Sequence, residues 1–247
     1  MIRVAVNGAR GRMGALVCEA LAAEAGFSLV ARCGRGDDLP AALRAARPDV
    51  VVDFTLPAAV RECALAIVDA GARPVIGTSG LDAAGRDELA RRCEAKRLGG
   101  VVAPNFAIGA LLMMRFAALA ARHLGAAEIR EAHHPGKLDA PSATALATAE
   151  AIASARPPGR PLPAPPAPPD PARGLLHAGV PIHSTRLPGI LAEQSVLFGA
   201  PGQKLVVEHV TYGREAYLPG VLLACRRVLH LDRLVLSLDR LLFDGEV

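Results

Sequence analysis

A glycine-rich turn between an apolar run and an amphipathic segment narrows the possible folds of this chain more than any other feature. The run from Ile2 to Asn7 predicts a strand, and the turn Gly8-Ala9-Arg10-Gly11-Arg12-Met13-Gly14 leads into a helix predicted over Arg12 to Ala23. Glycines in such a turn let the backbone approach a pyrophosphate, whose charge the free N–H groups of the helix start stabilise. The spacing matches the common GxGxxG pattern only with Ala9 in place of the first glycine. We therefore interpret the turn as a dinucleotide-binding loop, with a merely tight turn as the alternative.

Predicted strands and helices alternate over the first part of the chain. The strands after the first are Phe27 to Cys33, Val50 to Phe54, Pro74 to Gly77 and Gly100 to Ala103. The helices between them are Leu39 to Ala46, Pro57 to Ala70 and Ala83 to Lys96. Repetition of strand, helix and strand at this spacing indicates an α/β fold with a doubly wound parallel sheet, covered by helices on both faces.

The pattern changes after Asn105. A long apolar helix is predicted from Ile108 to His123, followed by a strand from Glu128 to His133 and by a helix after Asp139. Prolines are dense within residues 157–171, and because proline cannot donate a backbone hydrogen bond, we expect a surface loop there. Three later strands are most easily paired as an antiparallel sheet, namely Gly179 to Leu187, Glu193 to Gly199 and Lys204 to Thr211.

These patterns divide the chain into two domains. A dinucleotide-binding domain is expected over residues 1–104, and a second domain over residues 105–214. Two final helices, Tyr217 to Val228 and Val235 to Phe243, fall within residues 215–247 and are expected to pack back on the first domain.

Composition argues against several other classes of protein. No segment reaches the roughly 18 apolar residues of a membrane helix, and Met1 to Val6 begins a strand rather than a signal peptide, so we expect a soluble cytoplasmic protein without a membrane partner. The net charge of +4 comes from arginines scattered among acids with few aromatic residues, which argues against nucleic-acid binding. The five cysteines are an odd number and form no CxxC pair, so reduced thiols are expected rather than disulfides or a metal site.

The end of the second predicted strand bears on the choice of dinucleotide. An acid at this point typically binds the ribose hydroxyls of NAD. The stretch Ala31-Arg32-Cys33-Gly34-Arg35 has no carboxylate and carries arginines, which favours the additional phosphate of NADPH. Asp37 and Asp38 follow closely, so NADH stays open if the loop curls back.

Small and polar residues follow three further strands of the predicted sheet. Ligands of doubly wound sheets bind beyond the carboxyl ends of the strands, so these residues are expected to line the nicotinamide half of the site. Turn chemistry alone would explain any one of them. They are Asp53-Phe54-Thr55, Gly77-Thr78-Ser79-Gly80 and Ala103-Pro104-Asn105-Phe106.

Two adjacent histidines and a lysine, His133, His134 and Lys137, precede an alanine-rich helix. The helix start, capped by Ser142 or Asp139, offers free amides to a carboxylate. His134 and Lys137 would be cationic contacts to the same ligand, which leaves His133 as a proton donor. The alternative is a strand-end histidine pair, one buried and one exposed, beside a solvated lysine.

Five motifs in order resemble those of the 4-hydroxy-tetrahydrodipicolinate reductase family, formerly called dihydrodipicolinate reductases. The resemblance implies a Rossmann-type doubly wound parallel sheet and a smaller α+β domain with a mixed sheet, which binds substrate and forms a homotetramer. It also implies reduction of the ring at C4, after loss of the 4-hydroxyl, in lysine and diaminopimelate biosynthesis. The motifs are Asn7 to Gly14, Asp53 to Thr55, Gly77 to Gly80, Ala103 to Phe106 and Glu131 to Ala145.

The resemblance implies roles for individual residues. His133 is implied as the catalytic acid, and Lys137 as a proton donor and carboxylate contact. The other implied contacts of the small dicarboxylate substrate are His134, Ser142, Ala143 and Thr144. The implied contacts of the cofactor, NADPH with NADH as the alternative, are Gly8, Arg12, Met13, Arg35, Gly77, Ser79, Ala103 and Phe106.

The sequence departs from the family pattern at three positions. Ala143 replaces a glycine of the carboxylate clamp, Gly34 stands where many members have an acid, and Gln194 stands where many have histidine. Two alternative functions stay open. One is a related two-domain NAD(P)-dependent dehydrogenase of another small anionic substrate, and the other is a non-catalytic NADPH-binding sensor.

Overall fold

The computed structural model describes residues 1–157 and 170–243 of the chain. Two compact units are present, one of Met1–Ala107 with Arg214–Val247 and the other of Ile108–Gly213. Most of the proline-dense stretch, for which the sequence predicts a surface loop, falls at residues 158–169 and so lies outside the described residues. Within the described ranges, no helix has the length and apolar character needed to cross a membrane.

Strands and helices both occur in each of the two units. The strands are β1 (Ile2–Asn7), β2 (Phe27–Cys33), β3 (Val50–Asp53), β4 (Arg73–Ile76), β5 (Gly100–Val102), β6 (Ala126–His133), β7 (Leu175–His177), β8 (Val180–Arg186), β9 (Ala192–Ala200), β10 (Gln203–Thr211) and β11 (Leu234–Val235). The α-helices are α1 (Arg12–Ala23), α2 (Leu39–Ala46), α3 (Val60–Asp69), α4 (Ala83–Ala95), α5 (Ile108–Ala121), α6 (Ala143–Ala155), α7 (Leu218–Arg227) and α8 (Asp239–Phe243).

The first unit is built on a six-stranded sheet with the order β11-β5-β4-β3-β1-β2, and every pair in it is parallel. Ala5, Val51 and Ile76 belong to a core cluster shared with α2, α3 and α4, and the alternating neighbours Val4 and Val6 are also fully buried. Because successive strand residues point to opposite faces, both faces of this sheet are covered. The predicted doubly wound parallel sheet is confirmed.

The strand order of this sheet fixes where a ligand can bind. The chain passes from β1 outward to β2 and then returns to the other side of β1 as β3. Crevices in doubly wound sheets open at such a switch point, beyond the carboxyl ends of the strands. The loops after β1 and β3 are therefore the first place to look for a cofactor site.

Two predicted helices of this unit begin later than the sequence suggested. The helix predicted from Pro57 begins at Val60, because Leu56 to Ala59 forms a turn in which the Leu56 carbonyl accepts from the Ala59 N–H at 2.9 Å. The helix predicted from Val235 begins at Asp239. Leu234 and Val235 instead form β11, which adds a short strand to the free edge of β5.

The second unit is built on a five-stranded sheet with the order β10-β9-β6-β8-β7. Strand β6 lies at its centre, antiparallel to β9 and parallel to β8. The prediction of a purely antiparallel arrangement of the three late strands is therefore wrong for β8, although β9 and β10 do pair antiparallel. The reason is that β6 separates β8 from β9, and a parallel neighbour can follow β6 through a long crossover that contains α6. The mixed sheet implied by the family resemblance is confirmed.

Parallel pairing brings the ends of two strands to the same edge of this sheet. His133, the last residue of β6, is registered with Arg186, the last residue of β8. Helices α5 and α6 share a core cluster with strand residues such as Ile129, Ile182 and Phe198. The loop that follows His133 therefore starts beside Arg186, a residue that is distant in the sequence.

Candidate active site

The glycine-rich turn after β1 is held in a shape that larger residues would not permit. Gly8 has φ +84, and a Cβ built on it would lie 2.4 Å from the Phe54 carbonyl oxygen. A Cβ on Gly14 would lie 2.1 Å from the Gly8 carbonyl oxygen, so the absence of a side chain there lets α1 approach the turn closely. Glycine is required at both positions, once for backbone conformation and once for space.

Helix α1 begins at Arg12 without a side-chain cap. Its N-cap residue is Gly11, whose own N–H donates to the Gly8 carbonyl at 2.9 Å. The first amides of the helix, including those of Arg12 and Met13, precede the first helical hydrogen-bond donor, the Ala15 N–H. Unused amides together with the helix dipole make an anion site, and a pyrophosphate is the anion that such turns bind in dinucleotide folds.

An acidic side chain lies at the tip of β2. The Asp37 carboxylate accepts a hydrogen bond from the Gly34 N–H at 2.8 Å and forms an ion pair with Arg10 at 3.0 Å. Hydrogen bonds from the Gly34 amide and from Arg10 lower the pKa of Asp37 below its ordinary value. The expected tip without a carboxylate is therefore wrong, because the loop curls back and brings in the acid from three residues further along.

A cleft of about 900 Å³ opens beside the glycine-rich turn and the tip of β2. Gly8 and Arg35, both predicted cofactor contacts, line it. Arg12 and Met13 begin α1 directly after the turn. The other predicted cofactor contacts do not line this cleft and stand after β4 and β5, namely Gly77, Ser79, Ala103 and Phe106.

A buried acid joins the ends of three strands at this edge of the sheet. Asp53, fully buried at the end of β3, accepts hydrogen bonds from the Asn7 amide at 2.8 Å, the Thr55 hydroxyl at 2.8 Å and the Thr78 hydroxyl at 2.6 Å. The sequence predicted that Asp53 lines the nicotinamide half of the site. Both of its oxygens are instead engaged within the protein, so it holds the loops after β1, β3 and β4 in position.

Aromatic residues close the same edge of the first sheet. The rings of Phe54 and Phe106 meet edge to face with centroids 6.0 Å apart. A Cβ on Gly77 would lie 2.2 Å from the Phe54 ring, so glycine leaves room for that ring. The side chains of Ala103 and Phe106 are 2% and 3% exposed, whereas Ser79 is exposed. A ligand at this edge would therefore reach Ser79 more readily than Ala103 or Phe106.

A second polar cluster lies at the end of β6 in the other unit. Glu131 is buried with its side chain 0% exposed, and its carboxylate lies 2.6 Å from His133 Nδ1. The same carboxylate accepts two hydrogen bonds from Arg186, at 2.9 and 3.0 Å, and one from the Ser142 N–H at 3.2 Å. Burial opposes ionisation of Glu131, but the hydrogen bonds from His133 and Arg186 outweigh it and lower the pKa to about 2. Glu131 is therefore a carboxylate at neutral pH.

Arg186 connects this carboxylate to the loop that follows β6. Besides binding Glu131 in a bidentate manner, it donates from Nε to the Lys137 carbonyl at 3.2 Å and from Nη2 to the Asp139 carbonyl. Lys137 itself forms an ion pair with Asp139 at 2.9 Å. One guanidinium group thus fixes the end of β6 and the lysine-bearing loop relative to each other.

The helix that follows this loop offers a second anion site. Ser142 is the N-cap of α6, and its hydroxyl accepts from the Ala145 N–H at 3.2 Å. Ala143 and Thr144, the first residues of the helix, are exposed and half-buried. Their amides precede the first capped donor and can bind a carboxylate. His134 is exposed and the Lys137 side chain is 25% exposed, so both side chains are accessible from solvent.

The chemistry available at this cluster follows from the hydrogen bonds of His133. A carboxylate only accepts hydrogen bonds, so the Nδ1 that lies against Glu131 carries a proton. The other ring nitrogen, Nε2, is the one left for exchange of a proton with a ligand. A proton donor, a lysine and an anion-binding helix start therefore belong to one connected arrangement, in which the predicted residues His133, Lys137 and Ser142 all take part.

Sequence reasoning missed Arg10, Glu131 and Arg186 as parts of these sites. Arg10 stands inside the glycine-rich turn, and its position there was the signal that could have suggested a role. Glu131 stands two residues before His133 on a predicted strand, a spacing that points both side chains to the same face. Arg186 gave no local signal, since it lies 55 residues from Glu131 in the sequence.

Comparison with known proteins identifies the family. The model of the dihydrodipicolinate reductase N-terminus matches residues 2–106, and that of the C-terminus matches residues 109–242. The 4-hydroxy-tetrahydrodipicolinate reductase of Legionella pneumophila (strain Corby) is 48% identical over 241 residues, which cover 97% of this chain and 99% of that protein. The enzyme of the same name from Coxiella burnetii is 44% identical, with 98% and 99% covered.

Solved structures agree with this assignment. The dipicolinate-bound dihydrodipicolinate reductase from Paenisporosarcina sp. TG-14 matches with a TM-score of 0.84 and 36% identity, covering 97% of this chain and 99% of that one. An amine dehydrogenase from Mycobacterium smegmatis matches with a TM-score of 0.68 at 13% identity, covering 97% of this chain and 95% of that one, and so shares the fold alone. Both halves of the chain match their family models, and full-length relatives are close to half identical, so the chain belongs to the dihydrodipicolinate reductase family of NAD(P)H-dependent oxidoreductases.

Proposed function

We propose that this protein reduces 4-hydroxy-tetrahydrodipicolinate to tetrahydrodipicolinate with NAD(P)H, a step of lysine and diaminopimelate biosynthesis. The observation that carries the proposal is the connected arrangement of His133, Lys137 and the start of α6 around Glu131 and Arg186. A proton donor next to an anion-binding helix start suits a ring that carries carboxylates and takes up a hydride and a proton. The relative from Paenisporosarcina has dipicolinate bound, and dipicolinate is a ring dicarboxylate of this kind.

The residues of the first unit fit a dinucleotide. Gly8, Arg12 and Met13 supply the pyrophosphate contacts through the bare start of α1, where a Cβ on Gly8 would obstruct the turn. Gly77, Ser79, Ala103 and Phe106 are proposed as contacts of the other half of the cofactor. When bound, the nicotinamide would supply a hydride to ring C4, after the 4-hydroxyl has left as water.

NADPH is proposed to bind more tightly than NADH. Arg10 and Arg35 both lie at the cleft beside the tip of β2, where Asp37 forms an ion pair with Arg10. Two guanidinium groups suit a phosphate on the ribose better than a hydroxyl. Asp37 reduces this preference, because the 2′-phosphate must compete with its carboxylate for Arg10. An Arg35→Ala variant that kept the full preference would contradict this part of the proposal.

The substrate carboxylate is proposed to bind at the start of α6. The amides of Ala143 and Thr144 point out of the first turn, and the Ser142 hydroxyl can donate its proton while accepting from Ala145. His134 and Lys137 add positive charge from the preceding loop. Because Lys137 is paired with Asp139 at 2.9 Å, binding of the substrate requires that its carboxylate take over part of this ion pair.

His133 and Lys137 are proposed to divide the acid chemistry between them. His133 keeps its Nδ1 proton against Glu131, so the proton that it donates during reduction leaves from Nε2 of the doubly protonated ring, which then becomes the neutral Nδ1–H tautomer. Lys137 binds a carboxylate and can also donate a proton. The two residues therefore contribute differently, since only Lys137 contributes strongly to holding the substrate.

The second unit is also proposed to form the contacts of a homotetramer. The face of its sheet opposite α5 and α6 carries the cross-strand row Glu128, Leu197 and Val206, and Val206 is 43% exposed. Apolar residues on an open sheet face are typical of an interface between copies of a chain. Light scattering after size exclusion should give a mass near four times 25.6 kDa.

A coupled assay tests the function directly. The substrate is generated freshly from its precursors, and the absorbance of NADPH is followed with and without the protein. The proposal requires cofactor oxidation that depends on both the substrate and the protein. If NADPH binds but is never oxidised, the protein is better described as a non-catalytic sensor. If only another small anion is reduced, it is better described as a related dehydrogenase.

A further inference from the structure

Glu131 and Arg186 form a charged pair in the interior of the second unit, and its partners are not those of an ordinary structural ion pair. Removal of a carboxylate from water is unfavourable, and a buried ion pair often contributes no more stability than apolar residues of the same size. Apart from Ser184 and the Thr185 carbonyl, which belong to the same strand as Arg186, the other contacts of this pair go to one place, the end of β6 and the loop after it. They are His133, the Lys137 carbonyl, the Asp139 carbonyl and the Ser142 N–H.

We propose that Glu131 and Arg186 are positioning residues of the reductase, which fix the ring of His133 and its Nδ1 proton relative to Lys137 and the start of α6. The inference rests on the function proposed above and deepens it. Glu131 acts on His133 through the 2.6 Å contact with Nδ1, and Arg186 acts through Glu131 and through the loop carbonyls. Neither residue needs to contact the substrate.

The chemical reason lies in the ring of His133. A neutral imidazole can carry its proton on either nitrogen, and it can also rotate about its side-chain bonds. The Glu131 carboxylate accepts only from an Nδ1–H, so it selects one tautomer and one orientation. Nε2 is then always the nitrogen that faces the ligand. Arg186 in turn holds both oxygens of Glu131, so that the carboxylate itself cannot rotate.

Other charged groups around His133 do not perform this task. Lys137 is paired with Asp139, and His134, the first residue after β6, is exposed. A comparable glutamate and histidine pair elsewhere in the same unit, Glu150 and His177 at 3.0 Å, is far more exposed, with side chains 63% and 34% exposed. The difference between the two pairs provides a matched control.

The experiment compares Glu131→Gln, Arg186→Lys and the double variant Glu131→Gln/Arg186→Met with the parent and with the control Glu150→Gln. We expect kcat to fall about tenfold to hundredfold in the two single variants and in the double variant. This loss is smaller than the roughly 10²–10⁴-fold in rate that a positioned acid contributes as a whole. The substrate KM should change less than about threefold, and the Kd of NADPH should not change. Lysine keeps the charge of Arg186 but cannot bind the carboxylate in a bidentate manner, so charge alone should not restore kcat.

The double variant separates positioning from stability. Removing both charges avoids leaving one of them buried alone, so its melting temperature should lie closer to that of the parent than the melting temperature of Glu131→Gln does. A purely structural role predicts that kcat recovers together with the melting temperature. Positioning predicts that kcat stays low, and recovery of kcat in the double variant would overturn the proposal.

Nitrogen NMR of labelled histidine tests the same inference without turnover. In the parent, the proton of neutral His133 should be found on Nδ1, and in Glu131→Gln the two tautomers should be mixed, while His177 is unchanged. If the parent proton is on Nε2, or if Glu131→Gln leaves the signals of His133 as they were, the positioning role is wrong. This result is independent of whether the coupled assay detects reduction, so failure of the proposed function and failure of the inference can be told apart.

Discussion

The two helix starts of this protein both offer free amides to an anion, but they are constructed in opposite ways. The turn before α1 is formed by missing side chains, with Gly8 and Gly14 leaving space that any Cβ would fill. The turn before α6 is formed by charged side chains, with Glu131 buried and Arg186 mostly buried beneath it. The first site should therefore be sensitive to added volume, and the second to lost charge and lost hydrogen bonds.

The largest expected effect concerns the acid of the second site. His133→Ala should lower kcat by about 10² to 10⁴ with little change in KM, because a positioned proton donor is lost. Lys137→Ala should lower kcat and also raise KM, since a charge-assisted contact to the substrate is lost with it. NADPH binding, measured by fluorescence titration, should be unchanged in both. His177→Ala is the control, and parental turnover in either site variant would show that the acid roles are wrongly assigned.

Added volume should damage the first site selectively. Gly14→Ala places a methyl group 2.1 Å from a carbonyl oxygen, so α1 must move away from the turn. We expect NADPH to bind at least about tenfold more weakly and the free energy of unfolding to fall by about 1–3 kcal/mol. Gly125→Ala, where no atom lies within 4 Å of the built Cβ, should leave cofactor binding unchanged. Equal NADPH affinities in the two variants would refute the close-approach argument.

Acid pH should distinguish the second site from the first. The pKa of Glu131 is about 2 in the folded protein against an ordinary value of 4.5, so its ionisation stabilises the fold above pH 4.5. This contribution, about 3 kcal/mol, is lost as the pH falls from 4.5 through 2. In urea unfolding over this range, the parent should lose more stability than Glu131→Gln, and the two curves should converge. Glu150→Gln should run parallel to the parent; a parallel course for Glu131→Gln would contradict the low pKa.

The smallest expected effect lies at the tip of β2. Asp37→Asn frees Arg10 for a 2′-phosphate, so the ratio of NADH to NADPH dissociation constants should rise by about threefold to tenfold. Asp69→Asn removes another arginine partner, on α3 away from the cleft, and should leave that ratio unchanged. If the ratio of NADH to NADPH dissociation constants instead falls in Asp37→Asn, the charge of Asp37 is not its main effect. The hydrogen bond that Asp37 accepts from the Gly34 amide would then be more important for the shape of the loop.

The first site could be predicted well from the sequence because its determinants are local. The predicted bounds of the first two strands and first two helices agree with β1, α1, β2 and α2, and each of these elements is specified by its own residue pattern. The glycine spacing, placed after the first strand of an alternating pattern, predicted a dinucleotide-binding turn. The position of the Asp37 carboxylate was not determined in the same way, since it depends on how a short loop turns back.

The second site could be predicted only in part because its supporting residues come from separate strands. The stretch from His133 to Thr144 could be recognised in the sequence. The parallel pairing of β8 with β6 could not, and the position of Arg186 depends on that pairing. The two short edge strands β7 and β11 were also not predicted. They have three and two residues, which is too short to show the alternation of apolar and polar residues that identifies a strand. Contacts between distant residues decide these features, and one sequence gives no direct signal of them.

The parallel pairing of β6 with β8 also has a consequence for the order of folding. Strands β9 and β10 are joined by a tight turn at Gly202 and can pair early, whereas Glu131 and Arg186 must meet across 55 residues of intervening chain. Closing a long loop costs entropy before any contact compensates it, so pairing of this kind is slow. We expect the amides of β8 to become protected after those of the β9–β10 hairpin in pulse-labelled hydrogen exchange. During refolding, Glu131 and Arg186 would therefore come together only after the β9–β10 hairpin has formed.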